Sequence, residues 1–268
     1  MTSTADRTTL FHALHQQPPL ALPNAWDVAS ALIVEAAGAK AVATTSAGVA
    51  WSLGAPDGDA LDRELAIDLV ARIAKAVSIP VTADIESGFG EDAKEVGETA
   101  RAVVAAGASG VNIEDGHGGS IRDVQEQKER LAAAREAAPE LFINARTDVY
   151  LRGVGAPEDR LQLAIDRAKA YLEAGASGIF VPGVYDLDVI KTLAENIDAP
   201  LNVLAGPGAP AVHELATAGA ARISVGTALA SAAYAVAKKA AEELLTKGTY
   251  DSTNEGLGYG ELNALFSK

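Results

Sequence analysis

The tripeptide Ala-Gly-Ala occurs four times in this 268-residue chain, each time just before a short apolar segment. Its central glycines are Gly38, Gly107, Gly175 and Gly219, and the first two intervals are nearly equal while the last is shorter. Glycine at such a place ends a helix with left-handed backbone geometry, and the apolar segment after it is typical of a strand. Because each interval holds two strand–helix units, the repeat predicts a parallel α/β sheet.

Eight strand–helix units can be placed along the chain. The predicted strands span residues 20–25, 41–45, 81–86, 110–114, 141–147, 178–182, 201–205 and 222–225. The predicted helices span residues 28–37, 62–77, 92–106, 121–137, 157–174, 187–196, 211–218 and 227–247. Eight units in a chain near ~250 residues favour a closed (β/α)8 TIM barrel over an open doubly wound sheet. The segment Leu22–Asp27 also lacks the glycine-rich fingerprint of a nucleotide-binding open sheet.

We predict a single domain covering residues 1–268, with the barrel over residues 20–247 and a C-terminal extension over residues 248–268. The extension is either a frayed end or a small helix, since Leu262, Leu265 and Phe266 form an apolar stripe. Packing of that helix on a neighbouring surface is the preferred alternative.

Charge and composition exclude several classes of protein. The formal net charge is −14, which disfavours nucleic acids and anionic membranes as partners because binding to them needs clustered Lys and Arg. No apolar run approaches the ~20 residues of a membrane span, and the first residues lack the basic and apolar regions of a signal peptide. The absence of cysteine excludes disulfides, a thiolate nucleophile and cysteine metal ligands. We therefore expect a soluble cytoplasmic protein.

The stretch from Pro80 to Gly90 places two carboxylates at the carboxyl end of a predicted strand. Asp84 and Glu86 are two residues apart, so a pleated strand would put both on one face, about 6–7 Å apart. That spacing suits one divalent cation, bound directly or through water. The alternative is a strand end whose last polar residues are merely solvated.

In a barrel, the carboxyl ends of the strands and the loops after them share one mouth. The polar residues predicted at this mouth are Asn24, Asp27, Ser46, Asp57, Asp84, Glu86, Glu114, Asp115, Arg146, Asp148 and Asn202. So many converging carboxylates should have raised pKa values, and a hard cation would remove that penalty. Mg²⁺ fits such an oxygen-rich site, with Mn²⁺ as an alternative.

Arg146 is the one fixed positive charge of this set, and its planar guanidinium suits a substrate carboxylate. A structural ion pair with Asp148 or Glu114 is the alternative for this residue. Asn202 is predicted to contact the substrate from the end of its strand. A second carboxylate or an oxyanion could be held by backbone amides of three consecutive residues, namely Ser46, Ala47 and Gly48. The set predicts a site for a small carboxylate substrate.

The histidines are a weaker signal. His117 follows the fourth predicted strand and is either an acid/base group or, in the preferred interpretation, a plain loop residue. His12 and His15 are predicted to be surface groups of an N-terminal helix.

Five segments together resemble the isocitrate lyase/phosphoenolpyruvate mutase superfamily, in order along residues 20–247. They are Ser46–Val49, Leu53–Asp57, Asp84–Gly90, Asn112–Asp115 and Asn144–Asp148. The resemblance implies a Mg²⁺-dependent barrel, usually a tetramer that exchanges its last barrel helix between neighbours. It also implies roles for matching residues: Asp84 as direct metal ligand, Asp57, Glu86 and Glu114 holding metal-bound waters, Arg146 binding the substrate carboxylate, and Ser46, Ala47 and Gly48 contacting the oxo-acid end.

The segment after the fourth strand departs from two branches of that superfamily. Gly116–Arg122 contains neither the Lys-Cys-Gly-His-type segment of isocitrate and methylisocitrate lyases nor the Lys-Thr-Asn-Ser-like loop of the mutase and phosphonopyruvate hydrolase. The chain is more similar to the oxaloacetate decarboxylase-like branch, in which Mg²⁺ polarises a 2-oxo acid.

The resulting hypothesis is a C–C lyase or decarboxylase that cleaves a bond beside a 2-oxo or 2-hydroxy acid through a pyruvate enolate. Arg146, Ser46 and His117 are the candidate catalytic residues, and water is the alternative to His117 as proton source. The first alternative is a phosphonomutase or a P–C bond hydrolase acting on phosphonopyruvate. The second is a barrel that binds oxo acids without turnover. A homo-oligomer, either a tetramer or a dimer, is expected.

Overall fold

The computed structural model of the protein describes residues 4–267. The first three residues and Lys268, which the predicted domain includes, lie outside the described residues. The strands are β1 (Leu20–Leu22), β2 (Asn24–Ala25), β3 (Val42–Thr44), β4 (Val81–Asp84), β5 (Gly110–Glu114), β6 (Gly116–His117), β7 (Ser120–Ile121), β8 (Phe142–Arg146), β9 (Gly178–Val181), β10 (Leu201–Leu204) and β11 (Arg222–Ser224). The helices are α1 (Thr4–His15), α2 (Val28–Ala36), α3 (Ser46–Ser52), α4 (Arg63–Ala76), α5 (Ala93–Ala105), α6 (Val124–Ala137), α7 (Arg160–Glu173), α8 (Leu187–Asn196), α9 (Val212–Thr217), α10 (Ala228–Lys247) and α11 (Tyr259–Leu265), with a 3₁₀ turn at Asp251–Thr253.

Nine parallel strands form one sheet in the order β1-β11-β10-β9-β8-β5-β4-β3-β2. The two strands at the ends of this order are separated in the chain only by Pro23, which has no N–H to donate to a ladder. β1 pairs with β11 and β2 pairs with β3, so one interrupted strand closes the sheet. The predicted TIM barrel is confirmed, with its first strand divided at Pro23.

Three local predictions differ from the structure. Residues 46–52, which lie between a predicted strand and a predicted helix, form the additional helix α3. The strand expected to end at Glu86 ends at Asp84. The loop after β5 is an antiparallel hairpin of β6 and β7, in which Gly118 and Gly119 both have positive φ, the geometry of a tight hairpin turn. Each difference lies at the mouth of the barrel.

The barrel strands are buried on both faces, as parallel strands covered by helices require. The largest core cluster joins strands β4, β5, β8 and β9 to the helices α5, α6, α7 and α8 around them. This ring fixes the strand ends, and it therefore fixes the side chains at the mouth.

Helix α1 lies across the amino-terminal end of the barrel. The ring of Phe11 packs edge-on against Phe142, with 5.4 Å between centroids, and the ring of His15 stacks on Phe142 at 3.9 Å. Both α1 side chains are buried, so the prediction that His15 is a surface group was wrong. Its Nδ1 contacts the carbonyl oxygen of Phe11 at 2.8 Å, and burial, with the nearby charge of Arg222, lowers the pKa of His15 to about 3.

The last part of the chain covers little of its own barrel. Of the 20 residues of α10 only Ala230 is buried, and Leu245 is 83% exposed. Helix α11 forms within the predicted extension, and its Leu265 packs against the core cluster that contains α2 residues. Among the described residues, no helix combines the length and apolar character needed to cross a bilayer.

Candidate active site

Strand register sets the vertical order of the polar side chains in the barrel. Asp84 of β4 pairs with Asn112 of β5, and Asn112 pairs with Asn144 of β8. Two residues further along β5 and β8, Glu114 pairs with Arg146. The mouth therefore carries a row of Asp84 and two amides, with a carboxylate and a guanidinium one level above.

Asp84 and Glu86 come together through a turn, because the chain leaves the sheet between them. Glu86 has a φ of +52°, a left-handed conformation that is strained for a residue other than glycine. Its N–H donates to Asp84 Oδ1 at 3.1 Å. The prediction that both side chains share one face of a strand was wrong, although the two residues do adjoin.

The side chain of Glu86 holds the loop between α3 and α4. Its Oε2 accepts a hydrogen bond from the N–H of Gly58 at 2.9 Å and another from the N–H of Asp59. In return, Asp59 Oδ1 accepts from the N–H of Ser87 at 3.3 Å. These contacts fix the segment next to Asp57, an exposed carboxylate whose charge raises the pKa values of Asp84 and Glu86.

Three carboxyls at the mouth, those of Asp84, Glu86 and Glu114, have raised pKa values. Burial raises the pKa of Asp84, opposed mainly by Arg146. Burial raises the pKa of Glu86 to about 7 and that of Glu114 to about 8. The expected increase is confirmed, but loss of solvent contributes more to it than repulsion between the carboxylates. Such groups are poised for a cation that would favour their ionised forms.

Arg146 lies between two carboxylates. Its Nη1 is 2.6 Å from Glu114 Oε2, while its Nε and Nη2 are 2.6 and 3.1 Å from the two oxygens of Asp148. A second arginine, Arg152, donates from Nε to Asp148 Oδ2 at 2.9 Å and lies 3.7 Å from Glu114 Oε1. The ion pairs of Arg146 with Glu114 and Asp148, which were the alternative to substrate binding, are thus present. Together with Arg152 they form a ring of two arginines and two carboxylates.

Asp115, next to Glu114 in sequence, faces away from the mouth. It is fully buried, and its carboxylate accepts from Arg167 Nη1 at 3.0 Å, from the Tyr171 hydroxyl at 2.7 Å and from the Asp148 N–H at 2.8 Å. All its neighbours belong to the protein interior. Asp115 therefore supports the ring from behind.

The predicted substrate contact of Asn202 finds no support in its surroundings. Asn202 is buried in β10, its Oδ1 accepts from Asn144 Nδ2 at 3.0 Å, and its Nδ2 donates to the carbonyl oxygens of Val203 and Arg222. Both ends of the amide are used within the barrel. The assignment stays a prediction, and its hydrogen bonds favour a structural role.

Arg222 is a charged residue inside the barrel that the sequence analysis passed over. It is 1% exposed, and its Nη2 donates to Asn112 Oδ1 at 3.1 Å. Asn144 donates to the same oxygen at 2.9 Å, so the Asn112 Nδ2 points to Asp84 Oδ2, 3.3 Å away. Burial lowers the pKa of Arg222 to about 9, and the charge of Asp84 opposes this. The sequence signal that could have revealed Arg222 is a single arginine at the start of an otherwise apolar predicted strand.

Residues Ser46, Ala47 and Gly48 form the first turn of α3, where backbone N–H groups have no acceptor inside the helix. Ala47 and Gly48 are buried, and a Cβ on Gly48 would lie 2.8 Å from the Cβ of Trp26. The turn is therefore packed tightly against the residue that follows β2. Its contact with a substrate stays a prediction.

A cavity of about 910 Å³ opens at the mouth, bordered by segments that follow β3, β4, β5 and β8. Glu114, His117 and Arg152 lie in its wall. His117 is exposed on β6, so it can reach the cavity, but its catalytic role stays a prediction. A much smaller cavity of about 10 Å³ behind Asp84 and Glu86 is enclosed mainly by apolar side chains and is a packing void.

The loop that forms the floor of the large cavity is held by a buried cation. Arg130 of α6 donates to the carbonyl oxygens of Ser87 and Gly90 at 2.8 Å and to that of Glu91 at 3.0 Å. Three carbonyl groups of this loop are thus fixed to one guanidinium.

The carboxylates fit Mg²⁺ better than a cation that needs many protein ligands. Within residues 4–267, no three Asp, Glu or His side chains lie close enough to hold an ion directly. Glu86 is engaged by backbone N–H groups and Glu114 by arginines, which leaves Asp84 as the candidate direct ligand. Mg²⁺ keeps several waters and takes one or two carboxylates, so this donor set suits it.

Comparison with known proteins places the chain among related barrels. Residues 11–245 match the family described as phosphoenolpyruvate phosphomutase. The 2-methylisocitrate lyase of Escherichia coli is 31% identical over 201 residues, which are 70% of this chain and 66% of that protein. A provisionally assigned lyase/mutase from Burkholderia cenocepacia J2315 has a crystal structure with a TM-score of 0.91 at 38% identity, covering 99% of this chain and 97% of that chain. A phosphonopyruvate hydrolase crystallised with oxalate and Mg²⁺ shares the fold, with a TM-score of 0.84 at 24% identity over 97% of this chain and 94% of that one.

Proposed function

This chain belongs to the phosphoenolpyruvate phosphomutase family, and from that premise we propose that it is a Mg²⁺-dependent lyase. Its substrate is a 2-oxo or 2-hydroxy acid resembling oxaloacetate, and the bond beside the oxo or hydroxy carbon is cleaved through a pyruvate enolate. The observation that carries the proposal is that three carboxyls with raised pKa values, Asp84, Glu86 and Glu114, lie at the mouth together with Arg146, whose guanidinium is 2.6 Å from Glu114.

The metal would be held by Asp84 directly and by Asp57, Glu86 and Glu114 through water. When bound, Mg²⁺ supplies a Lewis acid that polarises the 2-oxo group. Mn²⁺ has the same ligand preference and is the alternative. The similarity to an enzyme crystallised with Mg²⁺ and oxalate supports this assignment.

The protein side chains bind and orient the substrate. Arg146 is fixed from both sides by Glu114 and Asp148, so its guanidinium can present its remaining donors to a carboxylate in a set direction. The first-turn amides of residues 46–48 would hold the oxygen that becomes negative. Loss of CO₂ from oxaloacetate leaves the bonding electron pair on the pyruvate enolate. A proton from water or from His117 then gives pyruvate, and no protein base has to abstract a proton from carbon.

Pyruvate release from oxaloacetate, measured with MgCl₂ and with EDTA, tests the proposal. We expect Asp84→Ala to reduce the Mg²⁺-dependent rate by about 10²-fold or more, since the metal site would be lost. Asp68→Ala is the matched control, because Asp68 is an exposed carboxylate that pairs with Arg72 on the surface of α4. Equal activity of wild type and Asp84→Ala would overturn the metal assignment.

Cleavage of a P–C bond is the second candidate, favoured by the shared fold with phosphonopyruvate hydrolase. ³¹P NMR of phosphonopyruvate incubated with the protein would reveal inorganic phosphate or a rearranged ester. A barrel that only binds oxo acids predicts ligand-induced thermal stabilisation with no product from any compound tested.

We also propose a homo-oligomer in which α10 packs on a neighbouring subunit. The support is the exposure of apolar residues along α10 and the segment after it, including Val236, Leu244 and Leu245. Light scattering coupled to gel filtration should give a dimer or tetramer. Val236→Glu combined with Leu245→Glu should shift the mass toward the monomer, and an unchanged mass would contradict this arrangement.

A further inference from the structure

Arg152 brings a second guanidinium to the mouth, on the segment between β8 and α7. Its Nε is anchored to Asp148 Oδ2 at 2.9 Å. Its Nη2 lies 3.7 Å from Glu114 Oε1, which is an ion pair too long for a hydrogen bond. Within the described residues, its two terminal nitrogens therefore donate no hydrogen bond to the protein. They can bind an anion without losing an existing bond.

The contrast with Arg146 is informative. All three nitrogens of Arg146 contact carboxylate oxygens at 2.6 to 3.1 Å, and its side chain is 15% exposed. The Arg152 side chain is 28% exposed and lies in the wall of the large cavity. One arginine is thus held deep in the mouth, and the other has donors facing the solvent-filled space above it.

The β6–β7 hairpin is shaped to leave room for Arg152. A Cβ on Gly116 would lie 2.5 Å from Arg152 Nη2 and 2.7 Å from Glu114 Oε1. Any side chain at residue 116 would therefore displace the guanidinium or the carboxylate. The backbone of β6 forms a wall behind Arg152, which limits its head group to the side facing the cavity.

We propose that Arg152 is a specificity-determining residue that binds a distal anionic group of the substrate. The inference rests on the proposed function, in which Arg146 binds the carboxylate next to the reacting carbon. Asp148 Oδ2 accepts from Arg146 Nη2 at 3.1 Å and from Arg152 Nε at 2.9 Å, so the two guanidinium groups are neighbours. A short dianion can bridge them, whereas a monoanion uses only Arg146.

The distal group can be a carboxylate or a phosphonate, since both accept charge-assisted hydrogen bonds from a guanidinium. A hydroxyl or methyl group at that position would leave Arg152 with its donors unpaired. We therefore expect the wild type to bind a dianion more tightly than the matching monoanion, and the ratio of the two affinities measures this preference.

The test measures dissociation constants by calorimetry in MgCl₂ for malate and for lactate, which differ by one distal carboxylate and are not decarboxylated. Phosphonopyruvate is the third ligand and distinguishes a distal phosphonate from a distal carboxylate. The variants are Arg152→Gln, Arg152→Lys and the control Arg63→Gln, a cavity-wall arginine that pairs with Glu98 at 3.9 Å. Thermal melting confirms that each variant is folded.

For Arg152→Gln we expect a loss of malate affinity of about 10- to 100-fold, the size of a charged hydrogen bond. Lactate affinity is expected to stay unchanged, and Arg152→Lys should fall between the wild type and Arg152→Gln. Arg63→Gln should keep the malate-to-lactate ratio of the wild type. A purely structural role for Arg152 would weaken both ligands by the same factor.

Two results would overturn the inference: an equal loss for malate and lactate in Arg152→Gln, or a wild type that shows no preference for either dianion over lactate. Failure of the proposed function is a separate outcome. If the wild type releases no pyruvate but Arg152→Gln selectively loses malate, the reaction is wrong and the anion site stands. If pyruvate is released but Arg152→Gln leaves the malate-to-lactate affinity ratio unchanged, the proposed reaction stands and the anion site is wrong.

Discussion

At the amino-terminal end of the barrel, Phe11 and His15 pack against Phe142, and burial keeps the imidazole of His15 neutral. At the carboxyl end, Glu86 is also buried and the side chain of Glu114 is only 15% exposed, but backbone N–H groups and arginines surround them. At each end of the barrel, ionisable side chains are shielded from solvent. The first is closed by aromatic rings and contributes stability, whereas the second retains a cavity and stores an unfavourable charge arrangement that a ligand can relieve.

The largest effect on stability should come from the closed end. Phe11→Ala removes a fully buried ring, so we expect the free energy of unfolding to fall by about 3–5 kcal/mol. Mg²⁺-dependent activity per folded molecule should be unchanged. Urea denaturation measures the first effect, and the matched control is Leu10→Ala, since Leu10 is its 46% exposed neighbour on α1. A loss of only a few tenths of a kcal/mol would show that α1 is not part of the cooperative unit.

The two ends should respond to pH in opposite directions. His15 has a pKa of about 3 in the folded chain against 6.5 unfolded, so the unfolded state takes up its proton first. Stability at this end is therefore lost as pH falls from 6.5 toward 3. Glu86 and Glu114, at about 7 and 8 against 4.5 unfolded, keep their protons longer when folded. Stability at the mouth is therefore lost as pH rises from 4.5 toward 8.

Two substitutions separate the loss of stability at low pH (the acid limb) from the loss at high pH (the alkaline limb). Each should change the free energy of unfolding by about 1–3 kcal/mol. His15→Phe keeps a ring on Phe142 and should abolish the acid limb. Glu114→Gln should reduce the alkaline limb without changing the acid one. Melting temperatures between pH 4 and 9, recorded in EDTA and in MgCl₂, give the comparison. Stabilisation by Mg²⁺ should grow with pH, because a metal favours the ionised carboxylates. Parallel curves for both variants would refute the contrast.

The smallest change in stability should follow from Gly116→Ala. The added Cβ meets the flexible ends of Arg152 and Glu114, which can move aside, so the melting temperature should change little. Malate affinity should nevertheless fall several-fold, since Arg152 loses its position. Gly206→Ala, in the loop after β10 with open space around its Cβ, is the control for calorimetry. Wild-type affinity in Gly116→Ala would show that the hairpin does not position Arg152.

The barrel and the position of Asp84 could be predicted because they depend on local signals. Repeated Ala-Gly-Ala tripeptides mark helix ends before strands, and apolar alternation places Asp84 at a strand end. The conformation of Glu86 could not be predicted, since its positive φ is stabilised by contacts to Gly58 and Asp59 far away in sequence. Pattern alone assigns such a residue to the strand before it.

Other features were missed for different physical reasons. Helix α3 contains Gly48, a residue of low helix propensity, at a place where the close approach to Trp26 excludes a larger residue. The adjacent Gly118 and Gly119 were a hairpin signal that was interpreted only as a loop. Arg222 acts through Asn112 on another strand, and Arg152 contacts Glu114 on β5 as well as its near neighbour Asp148. No spacing in the sequence reveals the contacts to Asn112 and Glu114.

The guanidinium of Arg130 has a consequence for how fast ligands exchange. Opening the loop from Ser87 to Glu91 would strip three charge-assisted hydrogen bonds from a buried cation, each about 1.5–3 kcal/mol. We therefore expect that loop to open rarely. The exposed β6–β7 hairpin has no such clamp within the described residues, so its motion, and not that of the floor, should set the association rate of the substrate and the residence time of the product.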